Sequence, residues 1–449
     1  MFYKIIFTIL GVFCLNFGYS QHVTRHFMEN LPQRGITDLT YIPDYNYAAS
    51  IPFISHFNID FKNDFSINDI GSHQMGDSTF YVNPDIFLNN LNNISTISLE
   101  TDIEIISSSW KSKDIFYSFT IKNKTIVEAR YPKDFLILGW RGNSEFIGKN
   151  AVFSGSGIDF VQYNEVGLSA TRIFFEKFVF GARLKYIQGL SNVSFEKNTI
   201  TLKTDTTTYW LTGRADYRVN ISQPLDTNGF DNFYPSNYIF NFHNPGFGVD
   251  LGVKFNMTEK INFSLNALDL GTIRWKSDVK NYSSENASFT FEGFKIDSTM
   301  AFPPTDSSIN IFADSITSIF EPNETEEYYS TGINPKLYLT ASYNLNKNNK
   351  FGLAFYQKFN KYKDYTQLSL LYNKKFGDIL NVGLSYSFTN RNYNKLGAGL
   401  SLKIGMFNLY FLSDDVLSYF YPLDAHTINF QFGINFVRMK VKETPPPEE

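Results

Sequence analysis

The sequence predicts an all-β protein, a transmembrane antiparallel β-barrel of about 14 strands with long outer loops and short periplasmic turns. Three observations predict it. The N-terminus has the pattern of a secretory signal. The chain is strongly aromatic yet mildly hydrophilic. Segments of about ten residues alternate apolar with polar or small side chains.

Residues 1–4 carry one positive charge, and a mostly apolar run follows over 5–17. Gly18 and Ser20 then set small side chains before Gln21. Residues 1–20 are therefore expected to be a signal peptide, its apolar run shorter than the ~20 residues a spanning helix needs. The single cysteine, Cys14, lies inside that run behind Val12 and Phe13, where a lipid-anchor site would need small residues. The mature chain is then expected to hold no thiol, hence no disulfide, thiolate metal site or cysteine nucleophile.

Aromatic residues make up 17% of the 449, with 46 Phe and 28 Tyr, while net charge is −4. Mean hydropathy is only −0.22. After the signal no apolar run approaches a helical span. A barrel reconciles these values, because only every second residue meets lipid. The near-neutral balance gives no reason to expect nucleic acid as a partner. The expected location is the outer membrane.

Alternation is clearest in the C-terminal half. Over 427–438, Ile428, Phe430, Phe432, Ile434 and Phe436 share one face, and Thr427, Asn429, Gln431, Gly433 and Asn435 the other. Residues 379–389, 247–256 and 396–404 repeat the pattern. Over 211–221, Leu211, Ala215, Tyr217, Val219 and Ile221 oppose Arg214, Asp216, Arg218 and Asn220. The polar faces mix Gly, Ser, Asn and charges, which suits a crowded, wet lumen. The apolar faces are nearly free of charge, which suits lipid. On this assignment Gly433 should accept a serine unless packing around it is tight, whereas Phe432→Arg should be far more harmful.

Short polar turns fall at 258–260, 346–350 and 374–378, and long connections at 222–245, 276–334 and 413–426. With the last strand ending in the periplasm, parity puts every short turn there and every long connection outside. The barrel is expected over 48–439. Within it, 276–334 reads as a long acidic outer loop or insertion, with Pro303, Pro304, Glu321, Glu324, Glu326 and Glu327. Residues 21–47 read as an N-terminal extended segment, tucked into the lumen or lying under the barrel. Residues 440–449 read as a disordered tail. A short helix is expected over 132–141, with Pro132 at its start and a place at a barrel mouth.

Several stretches resemble an uncharacterised family of outer-membrane barrels known only as a domain of unknown function. They are MENLPQRG with YIPDYNYAASIPFIS (28–55), RYPKDFLILGWRGN (130–143), GARLKYIQGLSNV (181–193), GFGVDLGVKF (246–255), LDLGTIRW (268–275) and the ending over 408–436. Where relatives carry an Asn-Pro-Ala turn, this chain reads TDLTYIP over 37–43. Such barrels are similar to fatty-acid transporters and to barrels that accompany secretion and gliding machinery. The resemblance implies fold and location and carries no activity.

No catalytic, cofactor or metal site stands out, and neither enzymatic activity nor a cofactor is expected. His22 and His26 have metal-like spacing but no obvious third ligand. His56, His73, His243 and His426 are scattered. Ser236 and Ser418 lie near His243 and His426 in outer loops, as any loop of this composition would arrange. Gly155 and Gly157 frame a GSG run without the phosphate-loop lysine, and read as a bend. Arg214, Asp216 and Arg218 are expected to form an ion-pair cluster in the lumen. The expected partners are the lipid bilayer, a small-molecule ligand in the lumen, and a surface or periplasmic protein. The functional expectation is a transporter or channel for small, apolar molecules; the alternative is a non-enzymatic assembly component that holds partner proteins.

Overall fold

Along most of the long strands polar side chains are buried and apolar ones exposed, the reverse of a soluble sheet. On the last strand Gln431 is fully buried, while Phe436 is 38% exposed. Leu184 and Phe247, far from any chain end, are about two-thirds exposed at 66% and 67%. A lipid-facing exterior around a polar lumen accounts for both.

The computed structural model describes residues 23–73, 79–222, 242–291, 322–389 and 395–439. The expected signal, the tail and the centre of the acidic segment lie outside these residues. The N-terminal part holds helix α1 (Val23–Phe27) and a 3-10 turn (Pro32–Ile36). Then come β1 (Tyr45–Ser50), β2 (Phe57–Asn63), the small β3 (Gly71–His73) and β4 (Phe80–Val82), and α2 (Pro84–Asn90). β5 (Ile94–Ser112) and β6 (Ile115–Pro132) lead to α3 (Lys133–Arg141) and β7 (Asn150–Val152). β8 (Gly157–Phe174), β9 (Phe178–Thr204), β10 (Leu211–Ser222), β11 (Asn244–Asn256), β12 (Ile261–Trp275) and β13 (Val279–Phe291) follow. The remaining elements are β14 (Asn323–Thr325), β15 (Tyr329–Ile333), β16 (Lys336–Asn344), β17 (Asn349–Lys358), β18 (Tyr365–Phe376), β19 (Leu380–Phe388), β20 (Lys395–Ile404), β21 (Phe407–Ser413), α4 (Leu417–Phe420) and β22 (Thr427–Met439).

The barrel closes with 14 antiparallel strands, in agreement with the sequence. β1 and β2 together form the first staple, pairing with β22 on one side and β5 on the other. The ring continues through β6, β8, β9, β11, β12, β16 and β17 to β22. Six tight connections share one end, at 113–114, 175–177, 257–260, 345–348, 377–379 and 405–406. Two of them turn on Gly377 and Gly405, whose φ of 61° and 60° favours glycine. The long connections share the opposite end, as parity required.

Two segments differ from expectation. β10 does not wall the lumen. It pairs with the outer part of β9, from Leu211↔Thr204 to Ser222↔Asn192, and with β13 on its other side. β11 takes over the same edge of β9 at Asn244↔Gly189. β9, at 27 residues, is far longer than a ~9–11-residue membrane strand and projects outward. Its outer part, with β10, β13 and β14, forms a sheet beyond the barrel rim. The segment 276–334 accordingly begins as β13 and ends as β14 and β15; only its centre was free to be read as loop. Alternation alone could not distinguish a wall strand from its outward continuation.

The expected helix over 132–141 is present as α3 at the outer end. Leu136 and Ile137 pack there with Phe65, Phe87, Leu88 and Tyr131. Its end turns on Gly142, with φ of 70°. The bend at Gly155 and Gly157 precedes β8.

Candidate functional site

The lumen is filled from within by residues 23–41, which lie nearer the tight-turn end. The glycines of the polar faces provide the room. A Cβ on Gly181 or Gly252 would meet Leu39, one on Gly352 would meet Phe27, and one on Gly383 or Gly399 would meet Met28. Strand glycine where another chain approaches closely is the physical pattern. Gly433 belongs to the same set: a Cβ there would stand 1.9 Å from the Ser55 carbonyl oxygen. The expectation that it tolerates serine is therefore wrong. The sequence showed the lumen face but not the chain packed on it.

Hydrogen bonds pin this plug to the wall on all sides. The Thr24 amide donates to Asp414 Oδ1 at 3.0 Å. Arg25 donates to His56 Nε2 at 3.0 Å and to Gln431 Oε1 at 3.1 Å. Gln33 donates to Asn435 at 2.7 Å, and the Leu39 amide to Asn266 at 2.9 Å. The Arg183 guanidinium donates to the Gly35 carbonyl at 2.5 Å and the Ile36 carbonyl at 3.2 Å. Thr171 donates to the Leu39 carbonyl at 2.7 Å.

Charge organises the plug itself. Arg34 bridges Glu29 at 2.7 Å and Asp38 at 2.8 Å, and Lys350 of β17 reaches Glu29 at 2.7 Å. Burial pushes the Glu29 carboxyl up, but Arg34 and Lys350 overcome this and hold it below the usual carboxylate range. Burial likewise opposes ionisation of Asp38, and Arg34 overcomes it. His26 stacks on Tyr338 with ring centroids 4.6 Å apart, and its Nε2 lies 3.1 Å from the Thr340 hydroxyl. Burial lowers this imidazole to about 4; Asp38 opposes the shift, while Arg34 and Lys350 add to it.

Above the plug lies an ion-pair network. Lys185 reaches Asp250 at 2.8 Å, Asp269 at 2.5 Å and Glu165 at 3.4 Å. Lys124 reaches Glu165 at 2.9 Å, and Lys336 reaches Asp269 at 2.9 Å. Asp269 enters through a break in alternation. Its φ is 59°, the register of β12 shifts beside it, and Leu268 and Asp269 are both buried. A bulge of this kind re-aims a side chain. The sequence signal was the change of phase between Asn266 and Trp275 on the lumen face.

Three cavities follow the lumen face of β5. The outer one includes Ser98, Glu100, Lys358 and Tyr365. The Glu100–Lys358 ion pair stands there. The middle one includes Asp102, Lys124 and Asp269. The inner one lies between the plug and β1, β5, β6 and β8, with Glu104, Ser107 and Ser109 in its wall.

The residues singled out in the sequence are mostly elsewhere. Arg214, Asp216 and Arg218 lie in the outward sheet, not in the lumen. Arg218 pairs with Glu327 at 2.9 Å and Asp216 with Lys197 at 2.5 Å, both in exposed surroundings. His22 and Ser236 lie outside the described residues. The Ser418 hydroxyl donates to the Asp415 carbonyl, while His426 stands 3.3 Å from Asp69. His243 is at the outer start of β11, and His73 on β3. His56, unremarkable in the sequence, is fully buried between Arg25 and Tyr410. No group of three metal-ligating side chains occurs among the described residues.

Among solved structures the chain is similar to a Pseudomonas aeruginosa FadL homologue, at 10% identity and a TM-score of 0.43, over 95% of this chain and 100% of that one. It is similar to the Ralstonia pickettii toluene transporter TbuX at 9% identity and 0.41, over 89% and 91%. It is similar to the Pseudomonas putida toluene transporter TodX at 9% identity and 0.38, over 94% and 98%. No curated protein matches. The model of a family of unknown function, DUF5723, matches residues 40–414. The resemblance read in the sequence thus holds, and the chain belongs to the family of unknown function DUF5723.

Proposed function

We propose that this chain resides in the outer membrane and passes a small molecule through its lumen, beside a plug that stays seated. The observation that carries the proposal is the string of three cavities along β5. Ser98, Glu100, Asp102, Glu104, Ser107 and Ser109 follow one another along them. Release of the whole plug is the costlier route. Each plug–wall hydrogen bond contributes about 1 kcal/mol net, so unseating the segment at once costs on the order of 10 kcal/mol. Rearrangement of side chains at the two junctions, Glu100 with Lys358 and Asp102 with Lys122, leaves the plug's own hydrogen bonds in place. The mixed lining, with hydroxyls on the wall and Ile36, Leu39 and Tyr41 on the plug, suits a small molecule with both polar and apolar parts.

Flux of small solutes into liposomes carrying the purified protein tests this. Ser109→Trp, which fills the inner cavity, should slow flux severalfold while leaving barrel assembly intact. Absence of flux for every small solute tried, or equal flux through the variant, would overturn the proposal.

A further inference from the structure

β5 and β6 oppose acidic and basic residues across the lumen wall. Asp102 stands opposite Lys124 in register, and Glu104 opposite Lys122. The lysines do not take these partners. Lys124 turns to Glu165, and Lys122 places its ammonium 3.6 Å from Asp102. The pairing is displaced by one rung, and Glu104 at the inner end is left over. It is 2% exposed and forms no ion pair among the described residues. Its carboxylate accepts from the Ser107 hydroxyl at 2.7 Å. The cations whose field reaches it are engaged: Lys122 with Asp102, and Arg25 with His56 and Gln431.

This carboxylate lines the inner cavity. A second buried polar group beside it has no hydrogen-bond partner. Tyr41, on the plug across the cavity, is 7% exposed, and its hydroxyl makes no hydrogen bond. Buried polar groups are ordinarily satisfied, and a lone buried carboxylate is costly. Apolar surface from Ile36, Leu39, Ala48 and Phe116 shares the lining with Asp38, paired to Arg34, and with Arg183, paired to Asp250.

We propose that the inner cavity is a binding site for a small organic cation, with its ammonium group on Glu104 and its apolar part against Leu39 and Phe116. A charge-assisted hydrogen bond to Glu104 replaces the ion pair that the displaced lysines do not make. The Arg34 guanidinium already covers the Tyr41 ring, 4.5 Å from its centroid, so the Glu104 carboxylate itself selects a cation over an anion. A short primary alkylammonium is the simplest cation of this kind. This inference names a ligand class for the proposed path, but binding does not require that the molecule pass through.

Calorimetric titration of the purified full chain in detergent micelles tests it, with n-butylammonium, n-butanol and butyrate as probes. The ammonium should bind at least about tenfold tighter than the alcohol, and butyrate more weakly still. Glu104→Gln should bring ammonium and alcohol within about twofold of each other. Equal affinities for the three probes in the unaltered protein would overturn the proposal without any variant. An ammonium preference that survives Glu104→Gln would overturn the assignment to Glu104. Ammonium binding without liposome flux would leave this site standing and defeat the transport proposal alone.

Discussion

The Phe27 ring occupies the space beside Gly352, where a Cβ would stand 2.5 Å from a ring carbon. A knob from the plug thus sits in a hole made by one missing side chain of the wall. Gly352→Val should unseat this end of the plug, at an overpacking cost of about 1–3 kcal/mol. Tryptic cleavage at Arg25 or Arg34 should accelerate, while the heat-modifiable gel mobility of a folded barrel persists. Unchanged cleavage would mean that the plug repacks around the new side chain.

Phe432→Arg and Gly433→Ser should both impair assembly, by different means. An arginine on the lipid face near mid-strand costs ~2–4 kcal/mol. A Cβ at Gly433 collides with backbone, the Ser55 carbonyl, rather than with a flexible tip. Refolding yield into lipid vesicles checks both. A normal yield for Gly433→Ser would show that the chain over 51–56 can retreat.

Asp269→Asn should destabilise far more than Asp216→Asn. Asp269 takes both Lys185 and Lys336 in a buried network, where loss of one partner costs about 3–5 kcal/mol. Asp216 meets only an exposed Lys197, a kind of pair worth ~0–1 kcal/mol. Urea midpoints of the two variants decide it. Equal losses would place solvent in the network.

Plug seating should weaken in acid through His26. Its docked value is about 4 against an ordinary 6.5, with burial as the main cause. The released segment takes up a proton as pH falls through 6.5, and the docked one does not. The stabilising contribution is therefore complete above about 6.5, declines between 6.5 and 4, and has lost about 3 kcal/mol below that. Proteolysis of the N-terminal segment at pH 7 and pH 5 measures it with an acid-tolerant protease. His26→Phe, which keeps a ring against Tyr338, should flatten the dependence; an unchanged slope would assign it to another group.

Topology can be read with single cysteines after Cys14→Ala. Thr207→Cys, at the exposed β9–β10 turn, should react with an impermeant maleimide on intact cells. Asn348→Cys, in the β16–β17 turn, should react only after the outer membrane is permeabilised. The reverse pattern would invert the barrel. Ser307, the natural choice within the acidic segment, lies outside the described residues.

The sequence by itself determined that this is a barrel, how its tight turns and long connections divide between two ends, and which residues of the wall face out. These properties follow from a two-residue side-chain period, which is local and needs no knowledge of partners. The helix of α3 was legible for the same reason, from Pro132 and nearby apolar residues. The tertiary structure decided what fills the lumen. The seat of Leu39 depends on Gly181 and Gly252, and that of Met28 on Gly383 and Gly399. The position of β10 depends on how far β9 outruns the barrel. Glu104 is left without a lysine only because Lys122 leans one rung toward Asp102. Each of these is set when distant strands close into a ring and the N-terminal chain packs inside it, and periodicity along one strand carries no record of that closure.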